Sequence, residues 1–176
     1  MLHLAFGPLR LHRVEANIQP RNRASIALVK RLASRRERPR PVSVSPVFFY
    51  GLFMDADALR SKGAHPANVR PAALPGYTIR IGTRATLVRE PGCSAYGVLM
   101  DLPRHEIDGL YSGPGLEGYR EEPVVVEEPD GAKVSATCFN LVTPPSPGEA
   151  NREYAEKLRE LARRLGLPLE YVALIR

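Results

Sequence analysis

From residue 41 onward, apolar positions fall into short runs and alternations separated by turn residues. Val47-Phe48-Phe49-Tyr50 is an apolar run stopped by Gly51, as a buried strand would be. Asp55 or Asp57 can cap a helix through "ADALRSKG", with Gly63 as its stop. In "LPGYTIRIG", Tyr77, Ile79 and Ile81 alternate with Thr78 and Arg80, predicting a half-buried strand. "RATLVREPGCSAYGVLMDL" reads as two strands joined by a hairpin turn at Glu90-Pro91-Gly92. Pro103 suits the start of a helix over "RHEIDGLY". "YREEPVVVEEPDGAKVSATCFNLV" predicts a second hairpin, with Val124 to Val126 outbound, Asp130-Gly131 as the turn and Val134 to Val142 returning. After the Pro-rich "TPPSPGEANREY", Tyr154, Leu158, Leu161, Ala162 and Leu165 share one face of a helix that Gly166 ends, and "PLEYVALI" gives a last short helix.

Strands in hairpin pairs, with helices between them and at the end, predict an α+β fold whose antiparallel or mixed sheet can close into a small β-barrel flanked by helices. The order argues against a doubly wound parallel sheet, and the sequence has neither a glycine-rich phosphate loop nor an internal repeat.

Charge divides the chain. Residues 1–40 carry ten Lys/Arg against two acids, and residues 41–176 carry fifteen against seventeen, so the net +6 of the whole is a +8 segment joined to a −2 body. Residues 1–44 are therefore read as a basic N-terminal extension of disordered composition and residues 45–176 as the folded domain. An Arg-rich arm also suits phosphate contacts, an anionic surface or a transit-type segment. Only Phe6 is interleaved with its arginines, which leaves little for bases to stack on and disfavours nucleic acid as a partner. The apolar runs are too short to span a bilayer, and two cysteines with four scattered histidines form no disulfide framework or metal spacing. These features imply no cofactor or metal and suit a reducing, cytoplasmic setting; they leave the oligomeric state open.

Several pieces then coincide in order. Tyr50-Gly51 follows the first strand and "LPGY" leads the second. "AYGVLMDL" precedes a helix with Ile107-Asp108; "GYREEPVVV", "TPPSP" and "GLPLEYVALI" follow. From Val47 to Ile175 the series resembles the gamma-glutamylcyclotransferase-like family. The resemblance implies a small mixed β-barrel flanked by helices and a cofactor-free reaction. In it, the α-amine of a γ-glutamyl amine or peptide attacks its own γ-carbonyl and releases 5-oxoproline. Such chemistry needs backbone N–H donors for an anion and one carboxylate base with a pKa raised toward neutrality.

Tyr50 and Gly51 match the Tyr-Gly of the family's substrate loop, where Leu52 and Phe53 replace small or polar residues; Tyr119 and Phe139 are the expected pocket aromatics. Tyr50 and Tyr119 would serve equally as core tyrosines, and Gly51 would equally suit a positive φ. The family pattern Leu-Asp-x-x-Glu-Gly falls on Ile107-Asp108-Gly109-Leu110-Tyr111-Ser112, so Tyr111 stands where the catalytic glutamate is expected. A phenol of pKa ~10 is a poor base for an ammonium near neutral pH. Glu117, in the only nearby "EG" pair, is the candidate relocated base if its loop bulges toward the pocket; otherwise it is a solvated loop residue. Three functions stay open. They are a cyclotransferase with a moved base, a non-catalytic module of the same fold binding a small amino-acid-like ligand, and a protein that works through its basic arm.

Overall fold

The structure, a computed structural model, describes residues 43–176; nearly all of the predicted basic extension lies outside the described residues. Strand β1 (Val44–Phe49) leads through a 3-10 turn (Leu52–Met54) into helix α1 (Ala56–Ser61). Two long strands follow, β2 (Ala67–Ile81) and β3 (Ala85–Pro103), and then helix α2 (Arg104–Tyr111). A hairpin of β4 (Tyr119–Glu127) and β5 (Lys133–Leu141) precedes helices α3 (Arg152–Arg164) and α4 (Leu169–Leu174). The five strands close into a barrel in the order β1-β3-β2-β4-β5. Neighbours are antiparallel except β1 and β5, which meet in parallel at Val47 and Thr137 and complete the ring. Closure removes the sheet edges that an open sheet would leave unpaired. The fold is thus the expected α+β mixed barrel with flanking helices.

Two expectations are corrected. No hairpin forms at Glu90-Pro91-Gly92, because β3 runs unbroken through these residues. The ladder with β2 pairs Tyr77 with Arg89 and Pro75 with Ser94, so Gly92 (φ 83°) lies in a bulge on the β3 side. The reversal between the strands falls instead at residues 82–84, where the Gly82 N–H donates to the Arg84 carbonyl at 3.0 Å. In addition, β2 begins at Ala67, well before Tyr77, and pairs through Pro71 and Pro75.

The core is continuous, from Val47, Phe48 and Phe49 of β1 through Leu99 and Met100 of β3 to Val126 and Cys138 of the hairpin. Gly97 allows β1 and β3 their spacing: a methyl there would lie 2.2 Å from the Phe49 carbonyl oxygen and 2.9 Å from the Phe48 ring. Outside the barrel, α3 buries Ala155, Leu158, Leu161 and Ala162, the apolar face that its spacing predicts. Burying a leucine such as Leu158 contributes about 2 kcal/mol. Asn151 caps the helix by accepting from the Tyr154 N–H at 3.0 Å, and Asp55 caps α1 through the Asp57 and Ala58 N–H groups.

Polar side chains tie together strands that share no ladder. Thr86 of β3 is fully buried and accepts from the Leu141 N–H of β5 at 3.0 Å, while Asn140 Oδ1 accepts from the Leu87 N–H at 3.1 Å. Asn140 also donates to Glu122 at 2.7 Å, and Tyr77 donates to the other Glu122 oxygen at 2.7 Å. Partial burial raises the Glu122 pKa, but the Asn140 and Tyr77 hydrogen bonds outweigh it and the net shift is downward. Among the described residues no helix is long and apolar enough to cross a membrane.

Candidate functional site

The turn after β1 forms the wall of a cavity of ≈ 920 Å³. Tyr50, Gly51, Leu52 and Phe53 line it, together with Arg84 and Ala85 at the start of β3 and Glu106 and Tyr111 of α2; Tyr119 and Tyr154 complete that wall. Tyr50 is buried, and its hydroxyl donates to the Phe139 carbonyl at 2.5 Å, so it both fills the core and fixes the turn to β5. Gly51 has φ −106°, within reach of any residue, so a positive φ does not explain it. Space does: a methyl at Gly51 would lie 2.9 Å from the Tyr154 hydroxyl. Burial raises the Tyr154 pKa, and the Leu52 backbone, the Arg84 charge and the Ala85 backbone oppose that rise.

An aromatic stack makes the floor. Tyr111 lies flat on Phe139 at 3.8 Å between centroids and 14° between planes. Phe53 meets Tyr111 edge-on at 5.8 Å, and Tyr119 is tilted against it at 5.9 Å. Burial raises the Tyr111 pKa far above that of a free phenol, with smaller contributions from Tyr119, Cys138 and Tyr154. The group therefore stays protonated near neutral pH and cannot accept a proton from an ammonium. Tyr119 donates to the Ala85 carbonyl at 2.5 Å, and burial raises its pKa as well.

Two predicted site residues are not brought into the cavity. Phe139 lies under Tyr111, is 8 % exposed and forms no part of the lining. Glu117 is exposed and also outside the lining; its carboxylate turns back onto its own loop and accepts from the Gly115 N–H at 3.0 Å. Hydrogen bonds from the Glu117 and Gly115 backbones lower its pKa, the opposite of what a near-neutral base requires.

Other residues come to the cavity without having been singled out. Lys62 sits over the Phe53 ring at 5.0 Å, and His65, Arg84, His105, Glu106 and Tyr154 all contribute lining. Glu106 is the one acid in that lining. Its oxygens meet the His65 N–H at 2.7 Å and His65 Nδ1 at 2.9 Å. Burial raises the Glu106 pKa, yet the His65 contacts prevail and hold it below the usual carboxylate range. Local patterning carries no signal for these residues, because α1, α2, the β2–β3 turn and α3 meet only in the folded barrel.

Solved structures of known proteins share this architecture. One titled gamma-glutamyl cyclotransferase superposes with a TM-score of 0.63 at 20% identity, over 74% of this chain and 85% of that one. The fold is gamma-glutamylcyclotransferase-like. An uncharacterized Homo sapiens protein gives 0.62 at 21% identity over 74% and 85% of the two chains. YkqA from Bacillus subtilis gives 0.61 at 24% identity, over 74% of this chain and 52% of that one. No sequence-family profile and no curated protein sequence matches the chain. On this gamma-glutamylcyclotransferase-like fold, Tyr111 of α2 is half-buried and stacked on Phe139.

Proposed function

We propose that this protein is a gamma-glutamylcyclotransferase-like binding module, which holds a small amino-acid-like ligand in the cavity beside Tyr50-Gly51 and does not convert it. The observation that carries this reading is the Tyr111–Phe139 stack. It fills the place of the base with a protonated phenol and presents an apolar floor, against which the aliphatic part of a ligand can pack. The ionised Glu117 is turned to its own loop and offers no substitute.

The test combines heat-induced unfolding and 5-oxoproline release, with γ-glutamyl dipeptides and γ-glutamyl amines as ligands. The expected result is protection against unfolding with no 5-oxoproline above the protein-free blank. Release of 5-oxoproline that tracks protein concentration overturns the reading, as does the lack of any protection across that class.

One observation favours a second reading, cyclisation with a different base. Among the described residues Glu106 is the only acid lining the cavity, and it meets His65. Under that reading 5-oxoproline is released and Glu106→Gln abolishes the release, whereas Glu117→Gln leaves it unchanged.

A further inference from the structure

Arg84 is a half-buried guanidinium in the cavity wall, and none of the ion pairs among the described residues includes it. No side-chain hydrogen bond among the described residues satisfies its five donors either; among the same residues Arg70, also half-buried, is paired with Glu128 and Asp101, whereas Arg80 and Arg159 are half-buried and unpaired but, unlike Arg84, do not line the cavity. A methyl on Gly115 would meet the Arg84 guanidinium, so this glycine, which its φ of +81° also favours, leaves room for the side chain. Burial raises the Tyr119 and Tyr154 pKa values and the Arg84 charge opposes that rise, while at Glu117, outside the cavity, it adds to the backbone contacts that lower the pKa. Glu117 nevertheless turns its carboxylate to the Gly115 N–H and does not close an ion pair with Arg84.

A partly desolvated cation without a counterion is costly unless an anion arrives, and a guanidinium fork fits a planar carboxylate through two parallel hydrogen bonds. We propose that Arg84 is the anion anchor of the cavity and that the ligand is a carboxylate, held between the guanidinium and the Tyr154 hydroxyl at the Gly51 turn. This deepens the proposed ligand-binding role and rests on it. Lys62, more exposed and over the Phe53 ring, adds positive field at the mouth, and Glu106 is already engaged by His65. The cavity thus selects against cations and in favour of anions.

The experiment is calorimetric titration of the full chain with L-glutamine and with 5-oxoproline. Each is run beside the analogue whose α-carboxylate is replaced by a carboxamide, and inorganic phosphate is titrated separately. Wild type is expected to bind at least one acid roughly tenfold or more tightly than its amide, the magnitude of a charge-assisted contact. Arg84→Gln is expected to bring acid and amide to within roughly twofold, while Arg84→Lys keeps part of the preference. Circular dichroism and the unfolding midpoint check that both variants are folded. Equal binding of acid and amide by wild type overturns the anchor and leaves the ligand-binding role standing. So does an acid preference that persists undiminished in Arg84→Gln. Phosphate binding more tightly than either acid overturns the carboxylate class. Failure of all four organic probes to bind wild type overturns the anchor together with the role on which it rests.

Discussion

Asn140 and Arg84 are both polar side chains that the barrel draws out of bulk water, and they differ in what meets them. Asn140 accepts from Leu87 and donates to Glu122, which also accepts from Tyr77; with Thr86 and Leu141 nearby, each group has a partner in the chain. Arg84 lies beside Gly115 and shares the cavity lining with Tyr119 and Tyr154, its charge uncompensated by any ion pair among the described residues. A closed network of the first kind locks β3 to β5, which share no ladder, and so specifies the barrel. An open cluster of the second kind does little for the free protein and leaves its donors available. The difference separates polar groups that hold the fold from those that await a ligand.

Breaking the closed network has the largest expected effect. Asn140→Ala leaves the buried Leu87 N–H and one Glu122 oxygen without partners, and should cost about 2–4 kcal/mol in denaturant unfolding. A cost under about 1 kcal/mol would mean that water replaces the network and that the contrast is false. Gly51→Ala should come next, at about 1–2 kcal/mol, since the new methyl displaces the Tyr154 hydroxyl rather than straining the backbone. Unchanged stability with unchanged ligand affinity would show that Tyr154 yields freely.

Glu122 supplies a pH test of the closed side. Its folded pKa is lowered, so its stabilisation is present in full above the ordinary carboxylate value of 4.5 and is lost as pH falls through the lowered value. The unfolding midpoint of wild type should therefore fall more steeply below about pH 4.5 than that of Glu122→Gln; parallel acid limbs would remove Glu122 from the network. The smallest effect belongs to the open side. Arg84→Gln should leave stability within about 0.5 kcal/mol of wild type. A loss of several times that amount would mean that Arg84 holds the fold and belongs with Asn140.

Much of this barrel is legible in the sequence because many of its signals are local. Asp55, Asn151 and Gly166 cap or stop helices where their side chains or backbone demand, and the Asp130-Gly131 turn joins β4 to β5. Pro91-Gly92 misleads because a positive φ at glycine serves a bulge as well as a hairpin, and only the distant partner β2 decides between them. The first half of β2 is obscured by Pro71 and Pro75, which weigh against a paired strand, although register shifts beside each, between Ala67 and Arg70 and between Pro75 and Tyr77, interrupt its ladder with β3. In the site, Tyr50 through Phe53, Tyr111 and Tyr119 do converge. Glu117 lies outside the cavity, its carboxylate accepting from the Gly115 N–H of its own loop. Arg84 and Tyr154 sit far apart in sequence, and nothing short of the closed barrel puts them on one cavity.

The central claim is that, if Tyr111 stands in the base's place, as proposed, the cavity binds without reacting. Its most direct test is 5-oxoproline release by the wild-type protein from a γ-glutamyl dipeptide at a concentration where calorimetry shows the site filled. The account predicts saturable binding and no 5-oxoproline above the blank. Release in proportion to the filled sites would contradict it.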